Sequence, residues 1–438
     1  MHKSKSSVLI LGAGLTGLTA AWFLKRQGVD VRVLERAPLP GGTLSLGEWS
    51  GFYFDAGIHV LHTHDREILD FLQRDLGLAL TAVQRRAYFV SRGKLVPYPF
   101  QVNAYSLPWA DRLRVLLESL RLPFSSPAHY GDFLLKNFGP TLCRHYFIPY
   151  ARKFWTVDPQ ELALDWVPSR VPLPRLRDRL QGLFRPVKGD YGPNATFFYP
   201  RQGGMAALGN ALAASLREQI TCNMRVKNIF PLERKVSCEQ GEEYHYKVCI
   251  TTLPLPLAVS MLQPVPAGIR SMAAGLRHTA MLCLNVAIQG KLPHAMHWVY
   301  FPCAAEPAAR VHFPGNISPA NVPTGCAALQ LEIPCRGGAA DAAAYSPDIE
   351  ACLQRLEKLG LVTGIKANLL FAQRQIVDPA YVIHDHYRAQ YLPDILGYLF
   401  ALGLIPAGRF GLWGYHWMHE SISSGKKAAA LALARLGR

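Results

Sequence analysis

Residues 8–35 read VLILGAGLTGLTAAWFLKRQGVDVRVLE, and this stretch decides the fold. Residues 8–11 predict a buried strand, Gly12, Gly14 and Gly17 form a GxGxxG turn, and residues 18–24 predict a helix. A second apolar strand at 31–34 ends on Glu35. In such a unit Gly12 permits the tight turn, Gly14 lets the backbone approach a pyrophosphate, and Gly17 lets the helix sit close to the strand. Leu15 and Thr16 present the first helical amides to the phosphates. Glu35 accepts hydrogen bonds from ribose hydroxyls, and a carboxylate at this place disfavours a 2′-phosphate. The reading is a dinucleotide-binding, Rossmann-like unit.

The chain of 438 residues is 50% hydrophobic and 18% charged, which excludes a disordered tail and suffices for two interleaved domains. Its net charge of +16 favours an anionic partner, whether a phosphate-bearing ligand, a nucleic acid or an acidic membrane surface. No basic repeat interleaved with aromatics and no nucleic-acid motif is present, so nucleic acid is not expected. Nine cysteines without a CxxC pair argue against a disulfide scaffold, a zinc ribbon and a dithiol redox site. His59, His62 and His64 lack a carboxylate or thiol neighbour to complete a metal geometry, and no metal is expected. The N-terminal apolar run stops at the glycine turn, unlike a signal peptide. The stretch 391–407 is broken by Pro393, Asp394 and Pro406, short of the roughly 18 apolar residues of a span. A cytoplasmic protein is the expectation.

Beyond Glu35 come Arg36, the pair Gly41 and Gly42, Thr43, and then FDAG ending at Gly57. This segment resembles the opening of the FAD-dependent amine oxidase and protoporphyrinogen oxidase superfamily. The resemblance implies FAD as cofactor, with Arg36, Gly41, Gly42, Thr43 and Gly57 along the flavin nucleotide. Residues 225–229 and 246–254 resemble that family's adenine-side strand and returning strand, which sets Val226 near the cofactor. Gly408, Arg409, Met418 and Ser421 fall in what resembles its closing strand and helix, whose N-terminus faces the flavin pyrophosphate and ribityl chain. No second GxGxxG occurs, which disfavours a reductase with twin nucleotide domains.

GIHVLHT at 57–63 looks like the GPHxFHT segment of UDP-galactopyranose mutases, with Ile58 in place of proline. PFQVN at 99–103, YARKFW at 150–155, DWVPSRVP at 165–172 and FYPRQGGM at 198–205 extend the resemblance. With the C-terminal motif it runs from residue 8 to about 430. It implies an α/β fold: a discontinuous Rossmann-like FAD-binding domain of residues 1–80, 190–265 and 370–438, with an inserted mixed helical and β-sheet substrate domain of residues 81–189 and 266–369. The implied activity is a redox-neutral pyranose–furanose interconversion of a nucleotide-activated sugar through reduced flavin, serving polysaccharide or glycoconjugate synthesis, with NAD(P)H as candidate reductant. By the same resemblance His59 and His62 lie beside the flavin and Trp155 walls the substrate cleft. Arg170, Tyr199, Arg409 and Tyr415 are candidate substrate or flavin contacts, and Arg310 is a further candidate. Guanidinium forks suit diphosphate oxygens, and tyrosine hydroxyls donate to them.

Three departures bear on the substrate. The arginine that grips the diphosphate in bacterial mutases falls on Pro174, leaving Arg175 or Arg177 to replace it. Trp413 stands for a tyrosine and His419 for an acidic residue. These changes keep open an oxidoreductase of the amine oxidase or protoporphyrinogen oxidase type that removes hydride from a small hydrophobic substrate. The stretch 111–122 carries leucines at helical spacing with arginines between them. Such a helix more often covers a domain core than rests on an anionic membrane, as in some monotopic porphyrinogen and polyprenyl enzymes. The Ala-rich residues 339–345 read as a loop entering a helix at 349–359.

Overall fold

A computed structural model describes residues 3–45, 47–120, 126–168, 170–171, 173–187 and 195–438, with side chains described from Ser6 onward. Ser169 and Pro172 of the 165–172 motif, and Leu122 at the end of the 111–122 stretch, lie outside the described residues. Lys3–Leu11 is a strand, followed by the helix Leu15–Arg26 and the strand Val31–Leu34. The two strands run parallel, with Val8 opposite Val31 and Leu11 opposite Leu34. Residues 8–11 are apolar without alternation because both faces of a parallel sheet are covered, and all four are fully buried.

On the other side of Lys3–Leu11 lies Glu243–Thr251, also parallel, with Cys249 opposite Leu9. Leu404–Pro406 pairs parallel with the C-terminal end of Glu243–Thr251. Ile220–Thr221 follows Val31–Leu34, and Val226–Phe230 with Lys235–Cys238 complete a seven-stranded sheet. Its strands come from three separated pieces of chain, as a discontinuous nucleotide-binding unit requires. The helix Met418–Arg435 packs against Leu15–Arg26 at backbone contact. A β-carbon on Gly425 would lie 2.6 Å from the Thr16 carbonyl oxygen and 2.8 Å from Thr19 Cβ. Thr16 Oγ1 donates to the Ser421 carbonyl at 3.1 Å, tying the first turns of the two helices together.

A second seven-stranded sheet runs in the order Leu369–Val382, His278–Gln289, Cys326–Cys335, Arg310–His312, Trp298–Tyr300, Ala87–Ser91 and Lys94–Pro97. Leu369–Val382 is an edge strand along most of His278–Gln289. The expected boundary at 370 therefore falls inside the second sheet, and the chain rejoins the first sheet only at Leu404–Pro406. Hydropathy marks a half-exposed strand but not the sheet that it joins. The helices Trp109–Ser119, Tyr130–Leu142 and Ile148–Trp155 build an aromatic-rich core with Phe89 and Phe100. The Ala-rich stretch expected as a loop is the helix Gly338–Ala344, which packs on His278–Gln289 through buried Ala342. Alanine has the strongest helix propensity, and its small side chain suits a close approach to the sheet. Among the described residues no helix is long and apolar enough to cross a membrane. Nor does any group of three or more His, Cys, Asp or Glu among them suit a metal ion.

Candidate functional site

The glycine turn builds one end of the site. Leu15–Arg26 begins after Gly14 with no side-chain cap, so its first amides lack intrahelical partners. A β-carbon on Gly14 would meet no atom within 4 Å, so the space before the turn is open. Gly41 donates its N–H to the Ala13 carbonyl at 2.9 Å. Gly42, at φ +59°, approaches so closely that a β-carbon would lie 3.0 Å from Gly14 Cα. The two glycine turns are thus one surface, with Thr43 exposed beside it and Arg36 exposed at the strand end. Glu35 is buried: Oε2 accepts from the Ala13 N–H at 2.8 Å and Oε1 from the Ala37 N–H at 2.9 Å, which leaves lone pairs on both oxygens. The Glu35 carbonyl takes the Met224 N–H at 2.8 Å, which places Val226 near it. Gly408 donates to Ser424 Oγ at 2.9 Å, and Met418 begins the second helix.

Gly12 and Gly17 pack at the inner side of the turn, where a β-carbon on Gly17 would strike the Gly12 carbonyl. From there the chain passes Gly57 to His59, whose Nδ1 lies 3.1 Å from the Gly57 carbonyl. Burial holds the imidazole down to about 4, and the charges of Arg409 and Arg310 push it further in that direction. His59 is therefore neutral, its proton on Nδ1 and its Nε2 an acceptor. Glu332, buried in the second sheet, accepts the Ile58 N–H on Oε1 at 2.6 Å. Its Oε2 takes Arg310 Nε at 2.9 Å and Nη2 at 2.5 Å. Burial holds His62 down to about 3, and its ring lies 5.5 Å from that of Trp417.

A second cluster surrounds Tyr415. Arg170 Nη2 donates to Glu420 Oε2 at 2.5 Å and to the Tyr415 carbonyl, and its guanidinium covers the Trp417 ring at 4.1 Å and the Tyr415 ring at 5.0 Å. Arg409 donates Nη2 to the Ala380 carbonyl at 2.9 Å and lies 4.7 Å from the Tyr381 ring and 5.7 Å from Tyr415. Its buried Nε has no hydrogen-bond partner among the described residues. Trp155 and Trp166 stand 5.7 and 5.8 Å from Tyr415. Burial pushes the Tyr415 hydroxyl up to about 12, so it stays a neutral donor. Arg388 holds the preceding turn, donating Nε to the Trp413 carbonyl and Nη1 to Asp165 Oδ2, each at 2.7 Å.

The structure thus brings Trp155, Arg170, Arg409 and Tyr415 into one cluster, with His59 linked to it through the charge of Arg409 and Arg310 through Tyr381. His62 adjoins it at Trp417. Tyr199, expected as a substrate or flavin contact, is held by other partners. Its buried hydroxyl donates to Asp55 Oδ2 at 2.8 Å and accepts from Asn321 Nδ2 at 3.1 Å. The DAG segment of the FAD-type opening supplies its partner, so this tyrosine ties two segments of the core. Burial lifts Asp55 to about 6. Arg175 and Arg177 are exposed at the helix Leu176–Gln181. Sequence reading missed Glu332, Tyr381, Trp417 and Glu420. Only Glu420 carried a local signal, three residues after Trp417, the spacing at which a side chain reaches back to a helix N-terminus.

The family model for flavin containing amine oxidoreductases matches residues 15–295. The chain is 26% identical over 305 residues to the mitochondrial protoporphyrinogen oxidase of Nicotiana tabacum, covering 58% of this chain and 59% of that one. It is 24% identical over 207 residues to the dTDP-fucopyranose mutase of Escherichia coli, covering 45% of this chain and 50% of that one. These matches span only about half the length of the curated relatives. The crystal structure of a reduced UDP-galactopyranose mutase superposes with a TM-score of 0.89 at 26% identity, over 98% of this chain and 96% of that one. FAD fits the residues present. The uncapped helix start, the open space before Gly14 and the free lone pairs of Glu35 suit its nucleotide half.

Proposed function

The chain belongs to the flavin containing amine oxidoreductase family, and from that premise we propose that it interconverts the ring forms of a nucleotide-activated sugar on reduced FAD. The observation that carries this reading is the gathering of three guanidinium groups, Arg170, Arg310 and Arg409, from three separate segments around Tyr415 and its aromatic neighbours. A nucleotide diphosphate is a ligand of matching charge and shape. The likeness over the full length to a UDP-galactopyranose mutase supports the same substrate class.

In this reading the residues from Gly12 to Gly17, with Leu15 and Thr16 amides, hold the cofactor pyrophosphate, and Glu35 holds the ribose. Gly42, Thr43 and the Met418–Ser421 turn flank the remainder. The chemistry that reduced FAD supplies when bound is nucleophilic catalysis at the anomeric carbon of the sugar. Arg170 and Arg409 neutralise the departing diphosphate. The neutral Tyr415 hydroxyl donates a hydrogen bond without adding charge. His59, fixed by Gly57, offers Nε2 as an acceptor at neutral pH. Trp155, Trp166 and Tyr381 exclude water from the departing nucleotide. NAD(P)H is the proposed reductant.

A second reading, hydride removal from a flat hydrophobic substrate, rests on the tyrosine wall: Tyr300 has Tyr98 at 5.3 Å and Tyr150 at 5.6 Å. The deciding experiment reduces the yellow protein anaerobically with NADPH or dithionite and adds UDP-galactopyranose or dTDP-fucopyranose, with chromatography of the products. Ring interconversion only after reduction is the expected result. Oxygen consumption with a porphyrinogen, without prior reduction and without sugar turnover, would move the protein to the oxidase class.

A further inference from the structure

The helix Trp109–Ser119 turns its apolar stripe away from the protein. Its buried residues are Asp111 and Val115. Trp109, Leu113, Leu117 and, one position past its end, Leu120 are exposed, Trp109 by 73%. Residues at i, i+4, i+8 and i+11 share one side of a helix, here the side opposite Asp111 and Val115. Asp111 faces inward because its carboxylate binds Arg114 Nη1 at 2.7 Å and Arg144 Nη2 at 3.2 Å, with His145 Nε2 at 2.9 Å. Leu176–Gln181 lies alongside. Arg179 Nη2 donates to Ser119 Oγ at 3.1 Å, and Arg112 Nη1 donates to the Leu183 carbonyl at 3.2 Å. That helix and its exit add exposed Leu176 and Phe184, the latter 76% exposed. Arg114, Arg144, Arg175, Arg177 and Arg185 are all exposed around these apolar side chains.

We propose that this face docks on an anionic lipid surface. The stripe from Trp109 to Leu120 enters the boundary between headgroups and acyl chains, and the arginines meet lipid phosphates. Trp109 suits that depth, because indole combines a large apolar ring with one polar N–H. The charges select a bilayer over a second copy of this chain. A two-fold contact through this face would press the same arginines against one another, and the net charge of +16 repels a copy while it attracts anionic lipid.

The test sediments the full-length flavin-loaded protein with vesicles of phosphatidylcholine, alone or mixed with phosphatidylglycerol. The protein is expected to pellet with the mixed vesicles, to remain in solution with the neutral ones, and to be released by salt. Each basic side chain at the surface contributes about fivefold, so Arg175→Glu with Arg177→Glu lowers the partition more than tenfold. Leu113→Ser with Leu117→Ser weakens it by a similar factor at unchanged flavin absorbance. Absence of binding to the mixed vesicles, or equal binding by the Leu113→Ser, Leu117→Ser protein, overturns the proposal. So does a dimer in sedimentation velocity that the same variant dissociates, since the face would then belong to a second copy.

Discussion

Replacing Glu420 by glutamine should tighten the binding of a nucleotide diphosphate. Glu420 Oε2 lies 2.5 Å from Arg170 Nη2, so an incoming anion competes with a carboxylate for the same guanidinium. With charge centres about 4 Å apart and an effective dielectric near 20, the pair is worth about 4 kcal/mol. The Glu420 side chain is 34% exposed, and solvent screening reduces the figure to about 2 kcal/mol. Some of that returns as weaker anchoring of Arg170, which keeps the Tyr415 carbonyl and the Trp417 ring. A net gain of about 1.4 kcal/mol, or roughly tenfold in Kd for UDP, is the expectation. Glutamine still offers an oxygen to the Trp417 N–H, which donates to Glu420 at 2.6 Å, so the start of the helix is retained. The assay is calorimetric titration of UDP into both proteins at matched flavin content and ionic strength. Unchanged or weaker UDP affinity in Glu420→Gln would refute the assignment of Arg170 to the diphosphate.

Three further outcomes follow from the geometry. His59 and His62 have folded-state values near 4 and 3, below the ordinary 6.5, so their contribution to stability is present above pH 6.5 and lost as pH falls toward 4. Asp55, raised to about 6, acts oppositely: its contribution is present below 3.8 and lost as pH rises through 6. These three groups by themselves make stability rise between pH 5 and 6.5 by about 1.4 kcal/mol per pH unit, and other histidines held down by burial, His297 among them, add in the same direction; denaturant midpoints measure this, and a slope unaltered by His59→Gln counts against it. Tyr199→Phe strips the Asp55 carboxylate of one of its two donors, the other being the Met205 N–H at 3.1 Å, and should cost about 1–3 kcal/mol in a thermal or denaturant melt. UDP affinity should stay constant, and a selective loss of affinity would make Tyr199 a substrate contact. Gly425→Leu forces the Leu15–Arg26 and Met418–Arg435 helices apart, costing about 1–3 kcal/mol and releasing flavin on gel filtration; full flavin retention would show that the contact does not set the cofactor site.

Much of the nucleotide half was legible because its constraints are local. The spacing of Gly12, Gly14 and Gly17 between an apolar strand and a helix allows few backbone paths, and Glu35 closes the unit within one βαβ segment. Around Tyr415 the sequence pointed only to residues that a motif carried, such as His59, Arg170 and Arg409. Glu332 gave no signal, since its partners Ile58 and Arg310 are distant in sequence and a glutamate within an apolar strand looks like an exposed position. Tyr199 lies in a family-like motif, while its hydroxyl partners Asp55 and Asn321 come from segments that no local spacing announces. The strand Leu369–Val382 shows the same limit at larger scale, because pairing partners of an edge strand are decided by tertiary contacts.

Glu332 also makes the two sheets depend on one another thermally. One buried carboxylate takes a backbone amide from the segment leaving the nucleotide unit and a guanidinium from the second sheet. Loosening of either sheet strands charge in a dry interior, so the pair should melt in a single cooperative step. Cofactor bound on the first sheet would then lend its mass-action protection to the second. Trp298, buried in a strand of the second sheet, would act as a fluorescent reporter of how firmly the protein grips its flavin.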